Sequence, residues 1–411
     1  MRKTDLSVNG HADRVYLQLQ FWSQFFFTSV FTVNLLYQVT IVQLNPFQLV
    51  LVGSVLELTV LLFELPTGIM ADRISRKKSI IIGYSLIGCG FIMEGAVPEF
   101  TAVLVSQFLW GIGYTFTSGA TQAWLADEIG SDKASAVFVK GARKENAAKF
   151  LAIPASILFG FASLNLPILY GGIGMIFLSI LLIFFMRENH FEGQSCTIHS
   201  IREYAKETVK HIISFCRSSA LMKLLLAITI CFGFFSEAFD RLWISRLLQN
   251  PLLQQLNHDY SILLIGGIQF CVALASFWLL RFFDGYALFR HRSQLYKMLM
   301  LCSAIIILSL VGFAWSDKAV LLLFFYCSIF VARSIMSPLE DIWLNSIIGQ
   351  STTRATFFSV RGQVDAIGQI AGGPVIGGIA VRSSIAIAYT ASAAILLPAL
   401  LLYYKAMKKT G

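Results

Sequence analysis

The chain has 411 residues, 56% of them hydrophobic and 13% charged, about half the charged share of a soluble domain. That balance excludes a water-soluble globule, and 35 Phe, 7 Trp and 13 Tyr exclude disorder and low-complexity structure. A net charge of +9 points to an acidic partner such as nucleic acid only if the basic residues have no better explanation.

Crossing a bilayer as a helix takes roughly 20 apolar residues. Twelve such runs are predicted, at 15–37, 46–71, 79–97, 99–126, 145–165, 167–186, 220–245, 261–283, 295–315, 319–339, 355–380 and 383–404. None alternates polar and apolar residues, so strands are excluded and the chain reads as an all-α membrane protein. The first fourteen residues, MRKTDLSVNGHADR, are polar and lead into span 1 without a small-residue cleavage site, unlike a removable signal peptide.

Span 1 carries Gln20, Gln24 and Asn34, suited to hydrogen-bonding a substrate or a neighbouring helix. In span 2, Glu57 and Glu64 stand seven residues apart, nearly on one face, with Ser54, Thr67 and Gly68 extending the stripe. A carboxylate buried there serves a proton-carrying cavity wall or a hydrogen-bonded helix interface. The loop that follows reads ELPTGIMADRISRKKSIIIG, with Gly68, Asp72, Arg73, Arg76, Lys77 and Lys78. Glu94 lies at the far end of span 3, and Asp127 follows span 4.

The longest polar stretch divides the chain into 1–190, a linker at 191–218 and 219–411. Within the linker, SIREYAKETVKHIISF has an apolar face and predicts an amphipathic surface helix. Span 7 holds Glu237, Asp240 and Arg241, with Glu237 and Arg241 in the favourable i, i+4 order. Arg333 in span 10 has no acid within a turn and calls for a partner on another helix or an anionic substrate. Arg361 and Asp365 in span 11 have an i, i+4 spacing, ahead of a run of Gly368, Gly372, Gly373, Pro374, Gly377 and Gly378 that fits a bending or sliding surface.

If the N-terminus is cytoplasmic, 27 Lys and Arg fall to the inside connections and 4 to the outside, with Arg333 within a span. An even number of spans with both termini cytoplasmic satisfies this asymmetry. The excess positive charge therefore reports orientation in a plasma or inner membrane, and no nucleic-acid partner is expected.

Sliding the chain on itself by 219 residues superposes Trp124 on Trp343, Gly130 on Gly349 and Phe138 on Phe357; one further residue aligns Glu145 with Asp365 and Pro154 with Pro374. A duplication of two six-span halves follows, with chance likeness between apolar helices as the alternative.

The loop after span 2 resembles the signature of the major facilitator superfamily, with Ser75 at the position of its second Gly. ELPTG, GIGYTFTSGATQAWLADE, SEAFDRLW, SPLEDIWLN and RATFFSVRGQVDAIGQIAGGPVIGG also look like bacterial, drug-efflux-like members. The resemblance implies twelve transmembrane helices in two pseudo-symmetric six-helix bundles, a monomer in the lipid bilayer working by alternating access. It also implies a charge cluster that holds the outward-facing state at Asp72, Arg73, Arg76 and Asp127, with Gly68 and Lys77 in the same gating loop. The second-half loop, LRFFDGYALFRHR, keeps only Asp284, Gly285 and scattered Arg. The Gly-Pro-x-x-Gly-Gly run resembles the superfamily's antiporter motif but occurs in span 11 instead of span 5.

No phosphate-binding loop occurs, so ATP-driven transport is not expected. The six His lie outside the spans and no paired Cys motif occurs, so neither a cofactor nor a metal is expected. The reading is a transporter, not an enzyme: proton-coupled efflux of small amphipathic substrates. The alternatives are a metabolite uptake permease and a sensor or lipid-handling membrane protein. Glu57, Glu64, Arg333 and Asp365 are the candidates for coupling or substrate binding. Gln20, Gln24, Asn34, Glu237, Asp240 and Arg241 are the candidate polar lining of a cavity.

Overall fold

A computed structural model describes residues 3–190, 214, 219–283, 292–348 and 354–410. Every regular element among them is helical, as expected where a backbone in hydrocarbon must satisfy its own hydrogen bonds. In chain order these are α1 (Lys3–Thr40), α2 (Pro46–Arg73), α3 (Arg76–Ala96), α4 (Phe100–Thr117), α5 (Ala120–Ile129), α6 (Ser131–Ala162), α7 (Asn165–Phe185), α8 (Ala220–Leu248), α9 (Pro251–Gln254), α10 (His258–Phe283), α11 (Arg292–Trp315), α12 (Ala319–Ile348), α13 (Arg354–Arg382) and α14 (Ile385–Thr410). Apart from Ser214, the predicted linker helix lies outside the described residues, as does the loop with Asp284 and Gly285.

Nine helices among the described residues are long and apolar enough to cross a membrane. The prediction of twelve differs at α1, α4 and α6. Gln20, Gln24, Asn34 and Gln38 dilute α1, and the basic run from Lys133 to Lys149 opens α6. The predicted span 99–126 is broken, because Gly119 adopts φ 72 between α4 and α5, a left-handed conformation that favours glycine. Large apolar side chains face outward: Phe184 is 74% and Val320 77% exposed. Such surface is stable against lipid, not water, and with the nine apolar helices it marks a multi-pass membrane protein.

The helices group into two compact units. Unit 1 comprises Met1–Leu44, Val55–Ser195 and Asn257–Gly267; unit 2 comprises Asn45–Ser54, Cys196–Leu256 and Ile268–Gly411. The first turns of α2 thus belong to unit 2 and those of α10 to unit 1.

In unit 1, α3 packs on α4 and α7, and α1 on α6 and α7. The α3–α4 crossing is backbone on backbone: a Cβ on Gly113 would lie 2.6 Å from the Gly83 carbonyl oxygen. Gly113→Ala is therefore expected to destabilise the protein by about 1–3 kcal/mol, although Ala is the better helix former. Gly68→Ala is the contrast, since a Cβ on Gly68 would meet nothing within 4 Å. Its thermal midpoint in detergent should stay level or rise. No neighbouring helix comes close at Gly68 among the described residues.

In unit 2, α8 packs on α13 and α14, and α11 on α12 and α14. Phe239 meets Phe313 and Tyr389 edge to face and Tyr326 at a tilt, all four buried. Gly368 and Gly372 of the predicted sliding surface lie against the backbone of α8 at Gly233 and Phe234, whereas Gly378 faces open space.

Candidate functional site

Asp72 and Arg73 end α2, and Ser75 caps α3, its Oγ accepting from Lys78 N at 3.0 Å. The φ of Ser75 is 178°, extended backbone that any residue adopts, so a second glycine in this loop is not required. Arg76 pairs with Asp127 of α5 and stands 3.7 Å from the exposed Asp72. Lys77 donates from Nζ to the Ile183 carbonyl at 2.8 Å.

A residue the sequence did not single out completes this cluster. The Glu188 carboxylate accepts from the Ser75 hydroxyl, from Arg76 N at 2.7 Å and from Lys77 N at 3.1 Å, closing the positive end of α3. Glu128 accepts from Asn189 N at 2.7 Å and His190 N at 3.1 Å, and Trp124 donates to the Arg187 carbonyl at 2.7 Å. The chain leaving α7 is thus clasped by α3 and α5. Glu188→Ala removes a charged acceptor from three donors and should lower stability by about 2–3 kcal/mol. Glu188→Gln, which keeps an acceptor oxygen, should lose less in the same thermal scan.

Within α1, Gln20 donates to Glu145 of α6 at 2.8 Å and to Tyr16 at 2.9 Å, and Gln24 donates to Thr28 of its own helix at 2.8 Å. Asn34 is buried, and its Oδ1 has no hydrogen-bond partner among the described residues. Glu57 and Glu64 are half-buried.

The densest charge cluster lies in unit 2, around a cavity of about 300 Å³. Arg333 of α12 clamps Asp240 of α8 with both ends of its fork, at 2.6 and 3.0 Å, over the rings of Phe235 and Phe330. Of the two partners open to Arg333, the structure supplies the acid on another helix. Glu237 and Arg241 form the expected pair at 3.0 Å, and Asp240 stands outside it. Gly53 belongs to this unit as well, and a Cβ there would overlap the Glu237 carboxylate.

The i, i+4 spacing of Arg361 and Asp365 does not become an ion pair. The Arg361 fork reaches α12 instead, meeting Asp341 at 2.7 Å and Glu340 at 3.1 Å, and Tyr403 of α14 donates to Glu340 at 3.0 Å. Asp365 accepts from Gln369 at 2.9 Å and has no cation within 4.0 Å among the described residues. Three carboxylates, Asp240, Glu340 and Asp365, and two guanidiniums, Arg333 and Arg361, therefore line the cavity beside Phe232 and Phe235, while Asp341 meets Arg361 from outside that lining. Glu340 and Asp341 went unread because the predicted span ended at 339, whereas α12 runs on to Ile348. The acid pair in SPLEDIW, just past a proline, was the available signal.

The sequence model of the Major Facilitator Superfamily matches residues 19–352. The uncharacterized MFS-type transporter YxaM of Bacillus subtilis (strain 168) is 26% identical over 367 residues, 87% of this chain and 86% of that protein. Among solved structures, the nucleoside transporter NupG superposes with a TM-score of 0.76 at 13% identity, covering 97% of this chain and 99% of the other. A peptide transporter, POT, in complex with sulfate gives 0.75 at 13% identity over 99% and 98%. At that identity the likeness is one of fold.

Proposed function

Because this chain belongs to the Major Facilitator Superfamily and is a membrane transporter, we propose that it exports small amphipathic compounds in exchange for protons. In this reading twelve helices form two bundles that alternate access to a central site, in an inner or plasma membrane with both termini cytoplasmic. The observation that carries it is the unit 2 cavity, lined by three carboxylates and two guanidiniums beside a phenylalanine wall, with Asp365 outside both ion pairs. An ionised carboxylate without a cation is costly at membrane depth, so this cavity favours a proton there. The rings of Phe232 and Phe235 offer the apolar part of a substrate its surface. Asp365, whose hydrogen bond comes from an uncharged amide, is the carboxylate best placed to exchange a proton. Glu57 and Glu64 are the candidates for the same duty in unit 1.

The test is flux in proteoliposomes under an imposed pH gradient, with a panel of amphipathic dyes and drugs. Gradient-dependent movement of at least one compound is expected, and it should weaken when Glu57 and Glu64 are both changed to Gln. Absence of gradient-dependent flux for every compound, or unchanged coupling in both the Glu57/Glu64 and the Asp365 variants, would sink the exchange reading. Binding without flux would favour a sensor.

A further inference from the structure

The polar residues at the C-terminal end of α3 lie in unit 1 and take no part in the exchange reading. Glu94 is 0% exposed. Its Oε1 accepts from Gln38 Nε2 of α1 at 2.7 Å; its Oε2 accepts from Ser106 Oγ at 3.0 Å and Gln107 Nε2 at 3.3 Å, both on α4. Three helices thus converge on one carboxylate, and Tyr37 ties the same turn by donating to the Glu94 carbonyl at 2.8 Å.

The amides carry the inference. Gln38 and Gln107 are each 1% exposed, and each points its NH₂ at the carboxylate, which fixes the amide orientation because the opposite flip would set oxygen against oxygen. Each Oε1 shares a carbon with that NH₂, so both lie beside Glu94. Neither Oε1 has a hydrogen-bond partner among the described residues. One turn back along α1, Asn34 Oδ1 is in the same condition. Buried oxygens of this kind are expensive unless something electropositive meets them. A proton on Glu94 supplies a single donor and leaves one of the two Gln oxygens unmet. A small cation held at the carboxylate and reached by both oxygens would serve both at once.

We propose that Glu94, Gln38, Gln107 and Ser106 form a buried binding site for an alkali cation. The ligands are all oxygen, the set that hard cations take. A single carboxylate neutralises a monovalent ion, whereas a divalent one would leave a net buried charge in a low-dielectric setting. The site joins α1 to α3 and α4, so occupancy stiffens the end of this three-helix cluster.

The experiment uses the full-length protein in detergent, scanned thermally in sodium, lithium, potassium or choline chloride at equal ionic strength. At least one alkali salt should raise the midpoint saturably over choline. Gln38→Leu and Gln107→Leu should each weaken the apparent affinity by about tenfold or more. Equal midpoints in all four salts, or an alkali effect unchanged in both variants, would overturn the site. Should a variant fail to fold, equilibrium binding of radioactive sodium and rubidium to the wild type decides alone. Saturable binding near one ion per chain supports the site, and none for either ion removes it, leaving a buried water or a protonated Glu94 to serve the amides.

Discussion

Arg361→Ala is expected to destabilise unit 2 strongly, at about 3–5 kcal/mol. Arg361 and Glu340 have side chains only 20% exposed, so removing the guanidinium leaves the Glu340 carboxylate, among the described residues, with the Tyr403 hydroxyl as its hydrogen-bond partner. The cost is the uncompensated charge more than the lost attraction. Asp341, half-exposed at 49%, can turn to solvent and adds little. A thermal midpoint lower by about 10 °C is the corresponding readout. Glu340→Gln combined with Arg361→Ala should recover part of the loss, because the stranded charge goes with it. A double variant as unstable as the single, or a single variant within 0.5 kcal/mol (roughly the range of ordinary surface changes), would show that the pair is not what holds α12 to α13.

Asp365→Asn should leave folding intact and remove coupling. Asn keeps an acceptor oxygen for Gln369 and breaks no ion pair, since Asp365 has no cation within 4.0 Å among the described residues. If Asp365 is the exchanging carboxylate, flux driven by a pH gradient should fall to the level seen without a gradient. Solute exchange without a gradient should persist. Equal losses in both assays would assign Asp365 to substrate binding; unchanged gradient-driven flux would return the proton to Glu57 or Glu64. Asp365→Glu, which keeps an ionisable oxygen, should retain part of the coupling.

Much of the helical framework is legible in the chain because the rule that builds it is local. A segment in hydrocarbon must pair its own backbone groups, so length and apolarity suffice to find α2, α3, α7 and α8. The positions that align at an offset of 219 to 220 residues also have like surroundings. Trp124 and Trp343 are both buried at 1% exposure, and the aligned acids, Glu145 and Asp365, each accept from a glutamine amide, Gln20 and Gln369. That rule is less sharp elsewhere: α1 and α6 carry polar or basic residues along their length, and α4 is an apolar helix of only 18 residues that ends at Thr117 before the Gly119 break. In the loop after α2, a glycine pattern was the guide, yet the structure turns there on an extended Ser75 and a carboxylate, Glu188, more than 100 residues further on.

By itself, then, the sequence determined the helical class, the membrane and the places where charges interrupt apolar runs, since each depends on neighbours within a few turns. Only the tertiary structure decided which charges meet. Arg333 finds Asp240 across 93 residues, Arg361 passes over the acid one turn away for two on α12, and Gln38 and Gln107 converge on Glu94 from different helices. The reason is physical: a long side chain at membrane depth takes the partner that best satisfies all its donors at least desolvation cost, and helix packing, not spacing along the chain, brings that partner within reach.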